Sequence, residues 1–129
     1  MQLAIPFMQF RGGSSKGLYF LADDLPSDPA ERDQVILSAV GRDARQIDSL
    51  GGAHPLTSKV AVVSRSTRPD ADVDFLFVQV VVGEDRVDTT PNCGNILAGV
   101  GPFAIEAGLI SVQGDTTTVR VYMLNSENL

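Results

Sequence analysis

Two side chains able to exchange protons near neutral pH carry the first question. Cys93 is the only cysteine among 129 residues. It lies in Thr89-Thr90-Pro91-Asn92-Cys93-Gly94-Asn95, between two asparagines, where the pattern predicts the start of a helix. Free backbone N–H groups and the dipole at a helix start favour a thiolate over a thiol. Gly94 lets a ligand approach the main chain, and its N–H together with that of Asn95 suits a carboxylate. Asn92 and Asn95 add uncharged amides. Outside this setting a lone cysteine reads first as a buried apolar filler, with Asn92 a simple cap; within it, both readings stay open.

Lys59, in Thr57-Ser58-Lys59-Val60, stands at the lip of an apolar strand. Partial desolvation there lowers an amine's pKa and makes it a usable base, with Thr57 and Ser58 as hydroxyl donors to a carboxylate. The alternative is a solvated strand-end lysine. The turn Arg11-Gly12-Gly13-Ser14-Ser15-Lys16-Gly17 reads either as an anion-binding turn or as a plain hairpin. It lacks the spacing of a nucleotide P-loop. His54, the single histidine, is read as a loop residue. One histidine and one cysteine cannot close a zinc site, so no metal is expected.

The elements that must position these groups follow from pattern. Residues 2–10 and 16–21 predict two strands joined as a hairpin. Residues 27–41 predict a helix capped by Ser27 or Asp28, with Pro29 in its first turn, Val35, Ile36, Ala39 and Val40 as its apolar face, and Gly41 as its stop. Residues 59–65 and 73–82 predict strands, the second buried on both faces. A short strand near 86–88, a helix over 93–107 ending at Gly108, and a final strand over 116–125 complete the reading. The 93–107 segment is apolar on nearly every side, which predicts a helix enclosed by other structure. Its glycines would let strands approach closely. Asp70, Asp72 and Asp74 read as a solvated edge.

Composition narrows the function classes. The chain is 43% hydrophobic and 20% charged, with a formal net charge of −6. A phosphate backbone would be repelled on average, so nucleic acid is not expected as a partner. No apolar run is long enough for a membrane span, and the N-terminus reads as a strand rather than a signal peptide. A single cysteine permits no internal disulfide, which fits a cytoplasmic protein.

Taken together, "FRGGSSKGLYF", "LGGAHPLTSKVAVVSRS" and "PNCGNILAGVGPFAIEAGLI" resemble the PrpF-like isomerases, in order and in spacing. The resemblance implies an α+β fold of the diaminopimelate-epimerase type, a curved mixed sheet wrapped around a central apolar helix. It implies Lys59 as acid/base and Cys93 as its assistant across the substrate. Substrate carboxylates would be held by Ser14, Ser15, Lys16, Ser58, Asn92, Gly94 and Asn95, and Arg11 would add positive charge. Family members have two pseudo-symmetric domains flanking the site, so residues 1–129 are expected to form the N-terminal one. A second domain or a partner chain would then supply the other wall, and a homo-oligomer is a separate expectation.

The linker "DARQIDSLGGAHPLTSKVAVVSRSTRPDADVDFLF" is most similar to the 4-oxalomesaconate tautomerases of gallate and protocatechuate catabolism. The implied reaction is an allylic 1,3-proton shift on a small di- or tricarboxylate. A neutral Lys59 would remove an acidified C–H proton to leave a dienolate. Such a substrate delocalises its own carbanion, so no cofactor is expected. The alternatives are 2-methylaconitate cis–trans isomerisation, an epimerase or racemase with two opposed cysteines, and a non-catalytic carboxylate-binding half-domain.

Overall fold

A computed structural model describes residues 5–12, 15–41, 51, 54–55, 58–84, 86–91, 93–112, 114 and 116–127. Strands β1 (Met8–Gly12) and β2 (Ser15–Leu21) form the expected antiparallel hairpin, with Gly12 opposite Ser15. A 3₁₀ turn, Ala22–Asp24, leads to helix α1 (Pro29–Val40). The Asp28 carboxylate accepts the Glu31 N–H, Pro29 fills the first turn, and Gly41 ends the helix at φ 120°. These are the predicted caps, with Asp28 rather than Ser27 as the capping residue. The buried stripe is Ile36, Leu37 and Val40; Leu37 belongs to it, although the pattern did not select it.

Strands β3 (Lys59–Arg65), β4 (Val73–Val80), β5 (Val87–Asp88) and β6 (Val121–Met123) complete one mixed sheet. Its order is β1-β2-β3-β4-β5, with β6 also paired to β4. β2 runs parallel to β3, β4 antiparallel to it, and β6 parallel to β4. β4 and the final strand are shorter than expected, and residues 5–7 of the expected first strand form none, β1 starting at Met8 and running on to Gly12. Residues 116–120 form no strand, and the main chain meets β4 first through the Arg120 carbonyl, which takes the Asp72 and Val73 N–H groups.

The two faces of the sheet are covered by different helices. Leu18, Phe20, Val60, Val62, Val78 and Val80 pack against Ile36, Leu37 and Val40 of α1. Tyr19, Ala61, Val63, Val73, Phe75 and Phe77 pack against the segment after Cys93. That segment is two helices rather than one, α2 (Gly94–Leu97) and α3 (Val100–Glu106). Pro102 explains the break: its ring would clash with the Ala98 carbonyl in a continuous helix, but it is tolerated in the first turn of a new one. α3 ends as predicted, with Gly108 at φ 81° and the Leu109 N–H returning to Ala104.

Enclosure is also less complete than the pattern implied. Ile96, Val100, Phe103 and Ala104 are buried, whereas Ala98 and Pro102 are exposed. The acidic residues are not a bare edge either. Asp70 pairs with Arg68, and Asp72 binds the Arg120 backbone and guanidinium. Asp74 has one buried carboxylate oxygen without a hydrogen-bond partner.

β5 and β6 share one edge of β4, at Gln79–Val80 and at Val73–Phe75. Between them, the Asn125 side chain takes the place of a strand residue. Its Oδ1 accepts the Phe77 N–H at 2.7 Å, and its Nδ2 donates to the Phe77 carbonyl at 2.8 Å and to the Thr89 carbonyl at 2.6 Å. Asn125→Ala leaves these groups without partners and should destabilise by about 1–3 kcal/mol in urea denaturation. A methyl at Gly99 would overlap the Tyr19 hydroxyl and lie 2.7 Å from Tyr19 Cζ, whereas one at Gly94 meets nothing within 4 Å. Gly99→Ala should therefore cost about 1–3 kcal/mol, and Gly94→Ala should leave the denaturation midpoint nearly unchanged.

Candidate active site

One cross-sheet row prepares the site. Phe10, Gly17, Lys59, Gln79 and Asp88 stand opposite one another on β1 to β5. Alternation puts this row on the face that carries Tyr19, Ala61 and Phe77, beneath α2. Gly17 is what lets α2 settle there, because a Cβ would lie 2.8 Å from Ile96 Cδ1 and 3.0 Å from the Lys59 carbonyl. Tyr19 holds α2 from the same strand, its buried hydroxyl donating to the Ile96 carbonyl at 2.6 Å. Burial pushes the Tyr19 phenol up to about 12, helped by the charge of Cys93, so it remains a donor at working pH. The Phe10 ring meets Tyr19 and Phe103 edge-on.

Lys59 and Cys93 meet above this floor. Lys59 Nζ donates to Cys93 Sγ at 3.2 Å and stands 5.6 Å from the centre of the Phe77 ring, within range of a weak cation–π attraction. Cys93 is partly buried and caps α2 in an extended conformation. Burial by itself would push its thiol up. The Ile96 N–H, the hydrogen bond and charge of Lys59, and the Asn95 N–H outweigh that and hold it below the ordinary thiol range. Those specific donors replace the helix dipole invoked from sequence, since α2 has only four residues. The two groups also touch directly, rather than facing each other across a substrate-wide gap as expected.

The remaining expected residues divide by face. Ser15 is fully buried, and its hydroxyl accepts from Asn95 Nδ2 at 3.4 Å, so these two lie together beside the pair. Ser58 is fully buried, directly before Lys59. Gly94 is exposed at the first position of α2. Arg11 and Lys16 are opposite each other in the hairpin, and alternation turns them to the α1 side, away from Cys93. The hairpin therefore brings Ser15, not its two cations, to the pair. Ser14 and Asn92 lie outside the described residues. His54 is exposed. A cavity of about 480 Å³ lined by Ile5, Phe7, Phe20, Val35 and Ala39 lies on the α1 side and contains neither member of the pair.

Among the described residues, no group of three His, Cys, Asp or Glu side chains is placed to hold a metal, and no helix is long and apolar enough to cross a membrane. Tyr19, Gln79 and Asn125 were not singled out from sequence. Only Gly99, one of the glycines of the apolar 93–107 segment, carried a signal of the close approach that Tyr19 makes.

A mixed sheet that presents an amine and a low-pKa thiol in contact, at the entry to an apolar helix, defines a candidate proton-transfer site of the diaminopimelate-epimerase-like fold. The chain belongs to the PrpF family, whose model, described as PrpF protein, matches residues 2–129. It is 60% identical over 126 residues to the 4-oxalomesaconate tautomerase of Pseudomonas putida, covering 97% of this chain and 35% of that protein. It is 60% identical over 122 residues to the (4E)-oxalomesaconate Delta-isomerase of Novosphingobium sp., covering 94% and 34%. A crystal structure of methylitaconate-delta-isomerase superposes with a TM-score of 0.92 at 48% identity, covering 95% of this chain and 32% of that one. The chain thus spans about a third of the length of the curated relatives it matches.

Because Cys93 is the only thiol, alkylation by iodoacetamide reports its ionisation directly. Its rate should reach half-maximum below the pH of an ordinary thiol, and Lys59→Met should move that midpoint upward. The sign for stability follows from linkage. A depressed thiol stabilises the fold above the unfolded-state pKa, and this contribution is lost as pH falls through the lower folded value.

Proposed function

We propose that the chain carries the acid/base centre of an isomerase that moves a proton by an allylic 1,3-shift in an unsaturated polycarboxylate, with 4-oxalomesaconate as substrate. The observation that carries this reading is the 3.2 Å contact between Lys59 Nζ and Cys93 Sγ, with the thiol held below its ordinary range. Two relatives at 60% identity, named for oxalomesaconate, support the substrate class.

In this reading the pair rests as ammonium and thiolate, so the base sits on sulfur rather than on the neutral amine expected from sequence. The Cys93 thiolate removes the acidified C–H proton and leaves a dienolate. The Lys59 ammonium returns a proton at the other end of the conjugated system. Substrate loses one proton and gains one, and transfer from the Cys93 thiol to the Lys59 amine restores the starting state. The Asn95 amide and the N–H of the exposed Gly94 are assigned to substrate carboxylates, with the buried Ser15 hydroxyl holding Asn95 in place. Further polypeptide supplies the opposite wall, consistent with relatives about three times as long.

The alternative reading is carboxylate binding by the same groups without turnover. The discriminating assay follows the ultraviolet absorbance of 4-oxalomesaconate, with deuterium uptake from D₂O read by NMR. Lys59→Ala and Cys93→Ala should each slow isomerisation by about 10²–10⁴-fold. Turnover unaffected by both removes the proposed mechanism, and binding without exchange favours the second reading. Faster conversion of methylitaconate than of 4-oxalomesaconate would keep the chemistry and change the substrate.

A further inference from the structure

Lys59 is the first residue of β3, so its position depends on what fixes the chain just before the ladder begins. Ser58, which precedes it, is fully buried, and its carbonyl accepts the Val80 N–H at 3.0 Å. The second hold comes from Gln79, directly opposite Lys59 in the β3–β4 ladder. Residues opposed in this way project from the same face. The Gln79 carboxamide turns back onto the main chain instead of extending outward. Its Nε2 lies 3.0 Å from the Pro55 carbonyl, 3.1 Å from that of Ser58 and 3.2 Å from that of Val80. A carboxamide nitrogen has two hydrogens, so three carbonyls share two donors and both protons are engaged.

We infer that Gln79 is a positioning residue for the proton-transfer pair: by tying the Pro55 and Ser58 carbonyls to β4, it sets where Lys59 Nζ stands relative to Cys93 Sγ. Its catalytic meaning rests on the function proposed above, whereas the geometry stands without it. A side chain that merely filled space would have no reason to collect carbonyls from the chain before β3 and from β4 together. Among the described residues, the ionisable groups around Cys93 are few. Lys59 contacts it from β3, and the Tyr19 phenol faces it from β2. Asp88 on β5, next to Gln79 in the row, is engaged by the Thr90 N–H and hydroxyl. Displacing Lys59 should therefore be read out at the thiol.

The test is the pH dependence of Cys93 alkylation by iodoacetamide in the full chain and in Gln79→Met, which keeps the length and removes the donors. Alkylation near neutral pH should slow about tenfold in Gln79→Met, toward the rate of Lys59→Met. Adding Gln79→Met to Lys59→Met should change the rate by less than about twofold, because the route through Lys59 is already gone. An unmoved profile in Gln79→Met, or the full effect persisting in the Lys59→Met background, overturns the inference even if the melting temperature falls.

Should Gln79→Met fail to fold, the wild-type chain decides. The two Gln79 side-chain amide protons should be distinct in NMR spectra and slow to exchange with solvent, and rapid exchange would overturn the inference. Neither measurement reads turnover. A chain that shows the shift without isomerising substrate loses the proposed function and keeps this inference, while turnover with an unmoved thiol does the reverse.

Discussion

The arrangement depends on placing a thiol and an amine within hydrogen-bond distance in a partly buried setting. Burial alone disfavours a thiolate, so sulfur keeps its charge only if donors and an opposite charge compensate. Here the compensation comes from three directions: the Lys59 side chain and the Ile96 and Asn95 N–H groups. One donor comes from the sheet and two from the helical turn. Both elements contribute to lowering the thiol, and the spacing between them is what the rest of the fold maintains.

That spacing is maintained largely by residues chosen for what they lack or for how they reach. Gly17 has no side chain, so Ile96 lies against β2, and Gly99 likewise makes room for the Tyr19 hydroxyl. Tyr19 crosses that space to the Ile96 carbonyl and fixes the turn whose first N–H groups face sulfur. Pro102 then forbids a straight continuation and starts α3 afresh. The helix is therefore less a dipole than a short frame for particular donors.

Two carboxamides do for the loops what the glycines do for the helix. Gln79 secures the approach to Lys59, and Asn125 secures Thr89 on the approach to Cys93. Both are anchored on β4, the central strand, which also pairs with β3, β5 and β6. β4 is thus the common reference for the two reacting groups. An amide suits this role because it donates and accepts without adding a charge beside a thiolate.

Much of this was legible in the residues. The hairpin, the caps of α1, strands β3 and β4 and the Gly108 stop follow from local preferences that act over a few positions, and the three motifs were enough to point to the family. Lys59 and Cys93 stood out by type and setting. Their contact did not, because it joins segments that only sheet register and a packed helix bring together. The same register turned Arg11 and Lys16 to the far face, an outcome that alternation decides only once the site's face is known. The roles of Gln79, Asn125 and Tyr19 were equally hidden: each is defined by a main-chain partner distant in sequence, and no local pattern records where that partner will lie.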